Sequence, residues 1–290
     1  MDILLQLVVN GLLLGGTYAI ISVGLTLIFG IVRVVNFAHG EFLMLGMYAT
    51  YLLSDHAGLH PYASVVILIP VFFLLGAAVQ RVIVQPLLGA DPHVVIFATV
   101  GLSTALINGA LLVFGANLFS VQAPLTRTVL QVGPVQFLSG NLIGFAVSIL
   151  LVAGLYLFLH HTHFGRAIRA TAQNRVAAPL MGIDVNQVYV ATFGIGAACV
   201  GLAAALIMPL YAVFPTVGTY FVLTAFVVVV LGGMGSLMGA FVGAMIIGLV
   251  DSLSGYYIAP DLKEVVYFVI FLFILILRPT GLIGLGRGSE

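Results

Sequence analysis

The chain has 290 residues, of which 62% are hydrophobic and only 6% are charged, and its formal net charge is zero. A soluble domain is closer to a quarter charged and half apolar, so this composition excludes a soluble globular protein. The nine lysines and arginines are scattered along the chain, which excludes a nucleic-acid-binding surface.

Apolar runs of about twenty residues recur from Leu4 to Leu277, and each is long enough to cross roughly 30 Å of hydrocarbon at about 1.5 Å per residue. The sequence therefore predicts an all-α, polytopic protein embedded in membrane lipid, with one transmembrane domain over residues 1–290. The first run, Ile3 to Gly30, has no basic n-region and no A-x-A-like site, so we interpret it as a spanning helix and not as a signal peptide. Segments rich in Gly, Pro or charge divide the chain into about nine predicted spans, near residues 4–30, 36–53, 62–84, 94–115, 137–159, 188–210, 216–232, 238–257 and 263–278.

The second span opens with the sequence VNFAHGEF, which holds Asn36, His39 and Glu41 close together in an otherwise apolar chain. An enzyme would use His39 and Glu41 as metal ligands or as an acid–base pair, but an H-E-x-x-H arrangement is missing. Asn36 can cap the helix, and Glu41 in its first turn favours the positive helix end. Alternatively these groups, with Gly40, face a cavity or a neighbouring subunit and act in a pathway or its gating. We predict that they mark the start of the span, at its cytoplasmic side.

The fourth span carries a polar stripe of Thr99, Ser103, Thr104 and Asn108. These side chains are candidates to line a pathway, and hydrogen bonds between helices are an equally good interpretation. The loop that follows, residues 116–136, is the longest on the outer side. Its sequence RTVLQVGPVQF alternates around Gly133-Pro134 and favours a small β-hairpin, which either docks a partner or simply connects two spans.

Residues 164–187 form the longest segment on the inner side. Arg166, Arg169 and Arg175 lie on a short, small-residue amphipathic stretch that ends at Met181-Gly182. Such a stretch suits insertion into a groove of another protein, or binding to anionic lipid at the membrane surface. The preceding HHTH run offers three histidines without a clear fourth ligand, so we predict no metal site there.

Glycine-rich stretches follow in the second half of the chain. Small residues at three- or four-residue spacing let helices in a membrane approach closely. The sequence LGGMGS, with Gly232, Gly233, Gly235 and Ser236, is different because it breaks helix propensity between two spans. HGEFLMLG and MGSLMGAF each begin a span that is followed by another opening near a proline, Pro61 or Pro260. We therefore predict an internal repeat of two halves related in parallel.

The basic residues predict the orientation, because short cytoplasmic loops retain Lys and Arg. An inner location for residues 164–187 leaves only Arg127 and Lys263 outside and makes the N-terminus external and the C-terminus cytoplasmic. It places these arginines inside: Arg33, Arg81, Arg166, Arg169, Arg175, Arg278 and Arg287.

The chain lacks the common sequence motif for ATP hydrolysis. No G-x-x-x-x-G-K-[ST] phosphate loop is present, so ATP, if used, is hydrolysed by a partner. A proton relay needs ionisable groups in mid-membrane, and we predict none there, since Asp251 and Glu264 fall near predicted span ends. We predict no catalytic residue, no metal and no cofactor.

Five motifs together carry a family resemblance: GLTLIFGIVRVVNFAHGEFLMLGMY, VGLSTALIN, GRAIRATAQNRVAAPLMGIDV, VLGGMGSLMGAFVGA and LRPTGLIG. In this order, from about Leu12 to Gly284, they resemble the permease subunits of branched-chain amino acid ABC importers. The resemblance implies a multi-pass protein of the bacterial inner membrane that forms half of a pathway for small zwitterions. It makes residues 116–136 a periplasmic loop.

The resemblance also implies an assembly of two cytoplasmic ATPase subunits, a second permease that is a paralogue or another copy, and an external solute-binding protein. It makes residues 164–187 the segment that couples to the ATPases, although Pro179 departs from a continuous helix. The coupling residues it implies are Gly165, Arg166, Arg169, Ala170, Asn174, Arg175, Gly182 and Ile183. NFAHGEF and LGGMGS resemble family hallmarks at the pathway. An importer for an amide, urea or sugar and a stand-alone secondary carrier are the alternatives.

Overall fold

A computed structural model describes residues 2–278 and 280–283, and Arg287 with the rest of the C-terminal tail lies outside this range. In the described part of the chain, a helix occupies each of the nine predicted spans. The helices are α1 (Asp2–Val32), α2 (His39–Ala57), α3 (Val65–Val79), α4 (Pro92–Phe114), α5 (Pro124–Arg127), α6 (Ser139–His161), α7 (His163–Gln173), α8 (Val185–Ile207), α9 (Val217–Gly232), α10 (Leu237–Tyr257) and α11 (Lys263–Leu277). The strands are β1 (Val129–Val132) and β2 (Val135–Leu138).

Six helical segments are long and apolar enough to cross a membrane: α1, α4, α6, α8, α10 and the continuous segment Pro61–Leu87 that contains α3. The other three predicted spans do not meet this criterion of length and hydropathy. α9 and α11 have only 16 and 15 residues, and α2 carries His39, Glu41, Asp55 and His56. The count of nine is therefore an approximate number of spans, although all nine segments are helical.

The bundle has two ends, which we name by the elements found there. α6 begins directly after β2 and finishes next to α7, so it connects a hairpin end with an α7 end. α1 makes the same crossing. The Gln6 side chain accepts a hydrogen bond from the backbone of Gln136 in the hairpin, and Arg33 Nη2 donates to the Ala172 carbonyl oxygen of α7.

The predicted β-hairpin is confirmed. β1 and β2 pair antiparallel in the register Val129 with Leu138, and Val132 with Val135. The two residues between the strands are Gly133 and Pro134, and Gly133 has the positive φ of 60° that such a short loop requires. Together with the single turn α5, the hairpin forms the connection from α4 to α6.

The core is built around α1 and α8, which are the most buried of the six long helices. α1 packs along α8 and α10, and α3 packs along α8 on the other side. The prediction of close small-residue packing is confirmed at Gly24, where a Cβ atom would lie 2.5 Å from the Gly196 carbonyl oxygen. Outside this core, only about a fifth of the residues in α4 and α6 are buried.

A buried ion pair joins α10 and α11 to the middle of α1. Lys263 Nζ lies 3.0 Å from Asp251 Oδ1, and the Tyr18 hydroxyl donates to Asp251 Oδ2 at 2.6 Å. The Asp251 side chain is 5% exposed, so its charge depends on these partners and not on water. Asp251 lies six residues before the end of α10 and beside the first residue of α11, as its predicted place near a span end requires, but it is buried.

We expect Lys263→Met to lower the stability of the solubilised protein by about 3 kcal/mol, because the change leaves a buried carboxylate without its counter-charge. The measurement is the temperature at which half of the monodisperse protein is lost on size-exclusion chromatography. The double variant Asp251→Asn/Lys263→Met is the control and recovers most of the loss. A single variant as stable as the unmodified chain contradicts the ion pair.

Candidate functional site

The second helix begins at mid-depth of the bundle and not at its α7 end. α1 finishes at Val32, Arg33 has a left-handed φ of 58°, and the chain is non-helical until α2 begins at His39. His39 Nε2 lies 3.1 Å from the carbonyl oxygen of Ile21, which is about eleven residues, or about 16 Å, before the end of α1. The predicted start at the cytoplasmic side is therefore wrong. The non-helical residues after Arg33 carry the chain back into the bundle.

The returning segment is enclosed by protein. Asn36 is fully buried, and its Oδ1 accepts a hydrogen bond from the backbone N–H of Ala38 at 3.1 Å, directly before α2. The hydroxyl of Thr99 on α4 donates to the Val35 carbonyl oxygen at 3.3 Å. Non-helical backbone at membrane depth occurs only where protein or water satisfies it. The prediction that protein surrounds these groups is thus confirmed for Asn36. Asn36 closes a turn just before α2, whereas the N-cap position of α2 is Ala38 and has no side-chain cap.

Glu41 is the central residue of the site. It is 1% exposed, and its Oε1 accepts hydrogen bonds from the hydroxyls of Ser103 at 2.9 Å and of Thr219 at 3.4 Å. Ser103 stands at the midpoint of α4, so the carboxyl group lies near the middle of the bundle. The prediction that no acid lies in mid-membrane is therefore wrong, because a hydropathy pattern does not reveal the depth at which a helix begins.

Two helix N-termini meet beside this carboxyl group. A Cβ atom on Gly40 would lie 2.1 Å from the carbonyl oxygen of Gly218, so the first turns of α2 and α9 touch through their backbones. Each N-terminus carries a partial positive charge that favours a nearby anion. Both helix ends therefore direct partial positive charge towards the Glu41 side chain.

Three polar atoms at the start of α2 have no hydrogen-bond partner within the described chain. They are Asn36 Nδ2, His39 Nδ1 and Glu41 Oε2, and all three residues are buried. An unpartnered buried polar atom costs about 1–3 kcal/mol, and more for a charged group. Each of these atoms needs a partner from outside the described chain, such as a water molecule, an ion or a ligand group.

One surface next to Glu41 is polar at membrane depth. Thr219 is exposed on α9, and Thr104 and Asn108 are exposed on α4. The Thr104 hydroxyl and the Asn108 amide donate to backbone carbonyl groups of their own helix, so hydrogen bonds to other helices do not explain them. Polar side chains in a membrane usually face a cavity or another chain and not lipid. We use the name α4–α9 face for Ser103 and Thr219, which share the Glu41 carboxylate, together with Thr104 and Asn108 farther along α4.

The LGGMGS residues lie elsewhere, at the α7 end. α9 ends at Gly232, Gly233 and Gly235 have φ values of 106° and 90°, and Ser236 caps α10 through the Gly239 N–H. The predicted break in the helix is confirmed, but the structure does not bring these residues to Glu41. The repeat stays a prediction, because α10 begins beside Gly30 whereas α2 begins beside Ile21.

The predicted coupling residues divide into buried and exposed groups. Gly165 is buried against α6, and Arg169 Nε donates to the Leu159 carbonyl oxygen, so both hold α7 on the bundle. The exposed residues are Arg166, Asn174, Arg175 and Gly182, and Ala170 and Ile183 are half-buried. α7 ends at Gln173, where Asn174 Oδ1 accepts from the next turn, and a separate short turn follows over Ala178–Met181.

The short turn carries exposed apolar side chains. Leu180 is 85% exposed, Met181 is 81% exposed, and Val176 just before them is 76% exposed. The amphipathic pattern of residues 164–187 contains Leu180 and Met181 but does not distinguish them from their neighbours. The sequence does indicate their exposure, because Pro179 and Gly182 on either side of the apolar pair favour a turn in an otherwise polar segment. No comparable signal connects Thr219 with Glu41, since 178 residues separate them.

Comparison with known proteins gives a consistent result. The family described as "Branched-chain amino acid transport system / permease component" matches residues 7–275. The chain is 32% identical over 294 residues to the high-affinity branched-chain amino acid transport system permease protein LivH of Escherichia coli (strain K12), covering 97% of this chain and 95% of LivH. It is 32% identical over 301 residues to the corresponding protein BraD of Pseudomonas aeruginosa, with the same coverage.

A more distant likeness covers part of the chain. The ribose import permease protein RbsC of Escherichia coli (strain K12) is 33% identical over 124 residues, which is 38% of each chain. No solved structure matches the chain.

We expect Gly40→Ala to destabilise the protein by about 1–3 kcal/mol or to prevent insertion, because the added methyl group overlaps the α9 backbone. The measurement is thermal loss of the monodisperse protein, together with the amount recovered from membranes. Gly101→Ala on α4 is the matched control, since nothing lies within 4 Å of the added methyl group. Equal behaviour of the two variants contradicts the contact between α2 and α9.

Proposed function

The chain belongs to the permease-component family of branched-chain amino acid transport systems, and from this membership we propose that it forms half of the transmembrane pathway of an ABC importer for branched-chain amino acids. It is a multi-pass membrane protein, as its family and its long apolar helices indicate. The finer assignment, to the bacterial inner membrane, rests on the bacterial origin of relatives that cover nearly the whole chain.

The proposed orientation has the α7 end in the cytoplasm and the hairpin end outside. Arg33, Arg166, Arg169 and Arg175 all lie at the α7 end, and short cytoplasmic loops retain basic residues. Arg127 lies at the hairpin end, where its Nε donates to the Pro209 carbonyl oxygen. Residues 164–187 are then cytoplasmic, and residues 116–136 with the hairpin are external.

Transport energy comes from separate subunits in this proposal. The chain has no phosphate-binding loop, so ATP is hydrolysed by two cytoplasmic ATPases. A second permease, either a paralogue or another copy, completes the pathway, and an external solute-binding protein delivers the substrate at the hairpin end.

The exposed turn after α7 is the observation that carries the proposal. Leu180 and Met181 are an exposed apolar pair at the α7 end, and Arg175, a few residues earlier in the chain, is exposed as well. Large exposed apolar side chains rimmed by polar groups mark protein–protein contact sites. We assign the ATPase contact to this turn, whereas Gly165 and Arg169 fix α7 to the bundle and transmit the movement. The coupling segment then has two parts in place of a single helix. The docking turn, Ala178–Met181, contacts the ATPase, and α7 is the lever that transmits the movement.

The lever has a direct connection to the core. Arg33, directly after α1, donates to the Ala172 carbonyl oxygen of α7, and the returning segment to α2 starts at Arg33. A displacement of α7 by the ATPases therefore reaches the α1–α2 break, which is the least regular part of the transmembrane core. Alternating access is the resulting mechanism: ATP binding moves the docking turn, and the helices repack to open the pathway to the other side.

A related importer for another small solute is the second candidate. The partial likeness to a ribose import permease supports a sugar, and an amide or urea is compatible with the same architecture. A stand-alone secondary carrier gains one argument, because Glu41 is a mid-depth acid. Membership of a permease-component family weighs against it, since such a component works with other subunits.

The test is ATP-dependent uptake of labelled leucine by proteoliposomes that contain the chain, its ATPases, its second permease and its binding protein. We expect Leu180→Glu/Met181→Glu to reduce uptake roughly tenfold or more, because an exposed interface anchor contributes about 2 kcal/mol to binding. The variant still inserts in the membrane but no longer retains the ATPases on purification.

The matched control is Leu180→Met/Met181→Leu, which keeps the apolar surface and therefore the uptake. Arg166→Glu/Arg175→Glu separately tests the charges beside the turn. Uptake that persists without the ATPases contradicts the importer and favours the carrier. A complete assembly that imports ribose, urea or an amide in place of leucine favours the second candidate.

A further inference from the structure

We infer that Glu41 binds the ammonium group of the transported amino acid at the middle of the pathway, and that the α4–α9 face lines this part of the pathway. The inference rests on the proposed function and adds to it the residue that the substrate contacts.

The first step concerns the carboxylate itself. Glu41 Oε1 accepts from the hydroxyls of Ser103 and Thr219, whereas Glu41 Oε2 has no partner in the described chain and is buried. A buried carboxylate oxygen without a partner is costly unless another group supplies a proton donor or a positive charge. An ammonium group supplies both, and its charge-assisted N–H···O bond is about twice as strong as a neutral one.

The second step concerns the charge of the site. The N-termini of α2 and α9 meet at Gly40 and Gly218 and favour an anion at Glu41. The described chain brings no lysine or arginine within 4.0 Å of this carboxylate, in contrast to Asp251, which is paired with Lys263. The site is therefore prepared for a cation that the chain itself does not provide.

The third step concerns access. Glu41 lies directly beneath Thr219, which is exposed, and beside Ser103, which is half-buried. Both hydroxyl groups that bind the carboxylate therefore belong to residues that reach the surface. The exposed Thr104 and Asn108 continue the polar surface along α4 towards the hairpin end. A polar surface at membrane depth that ends at a buried carboxylate is what a stepwise path for a zwitterion requires.

In this inference the site contacts only the ammonium group of the substrate and not its side chain. One carboxylate with two hydroxyl groups binds an ammonium group without enclosing a side chain. Leucine, isoleucine and valine share this group, so a site of this kind accepts all three and releases them readily. Selection among side chains is then a property of the solute-binding protein.

The first experiment compares Glu41→Gln with Glu264→Gln in the reconstituted importer. Glu264 lies in the first turn of α11 and serves as the matched control for the loss of a carboxylate at the start of a helix. The amide of Glu41→Gln keeps the hydrogen-bonding shape of the side chain but removes its charge, and we expect leucine uptake to fall roughly tenfold or more. Glu264→Gln retains uptake.

The ATPase activity that the loaded binding protein stimulates separates binding from folding or gating. We expect Glu41→Gln to retain this stimulation, because only substrate passage is impaired. Loss of stimulation together with uptake overturns the inference, since it assigns Glu41 to the conformational change. Normal uptake by Glu41→Gln overturns it as well. Failure of the unmodified assembly to import leucine refutes the proposed function instead, so the two failures are distinguishable.

The second experiment identifies the group that is bound. Thr219→Cys introduces a thiol at the α4–α9 face, while the native Cys199 is buried and separate from it. We expect a water-soluble methanethiosulfonate reagent to modify the new thiol in the assembled importer. Leucine and leucinol, which both carry an ammonium group, slow the modification, whereas 4-methylpentanoate, which lacks it, does not.

Each other outcome is decisive. No modification by the reagent shows that the α4–α9 face does not line an aqueous pathway. Modification that leucine does not slow, or that 4-methylpentanoate slows equally, shows that Glu41 does not bind the ammonium group.

Discussion

The structure depends on one constraint, which is that every backbone polar group at membrane depth must find a partner inside the protein. The chain is not helical between Arg33, at the α7 end, and His39, at mid-depth of the bundle, where lipid offers no hydrogen bond. The break is tolerated because the Asn36 side chain accepts from the Ala38 N–H, Thr99 on α4 donates to the Val35 carbonyl oxygen, and His39 contacts the Ile21 carbonyl oxygen of α1. Three helices, α1, α2 and α4, are thereby fastened to one non-helical segment.

The same constraint explains the architecture of the functional site. Because α2 begins inside the bundle, its N-terminus is available at mid-depth, and the close backbone contact between Gly40 and Gly218 adds the N-terminus of α9. Two positive helix ends attract a carboxylate, and Glu41 occupies that position with hydroxyl partners on α4 and α9. A continuous helix through this region satisfies its own backbone and provides neither the charge nor the site.

The break also connects the site with the α7 end of the bundle. Arg33 lies at the junction of α1 and the returning segment, and it contacts the backbone of α7. α7 is held against α6 by Gly165 and Arg169, whereas the exposed Leu180 and Met181 are free to engage another protein. The docking turn is therefore connected to α7 along the backbone, α7 to Arg33 by a hydrogen bond, and Arg33 to the start of α2 by the returning segment. Such a sequence suits a permease whose energy arrives from a partner.

Sequence alone determined the class, the helices, the hairpin and the family of this protein. Composition and run length set by the hydrocarbon thickness predict a polytopic helical bundle, Gly133-Pro134 sets the hairpin, and motif order from Leu12 to Gly284 identifies the family. These features are local in the sequence or depend only on the order of motifs along it.

Only the tertiary structure decided the depth of Asn36, His39 and Glu41, the pairing of Glu41 with Thr219, and the burial of Asp251 beside Lys263. The reason is that hydropathy is summed along the chain, whereas depth and pairing are set by contacts between helices that lie far apart in sequence. For Leu180 and Met181 the two sources of information combine. The flanking Pro179 and Gly182 indicate a turn from the sequence, and only the packing shows that the apolar side chains of the turn face outward.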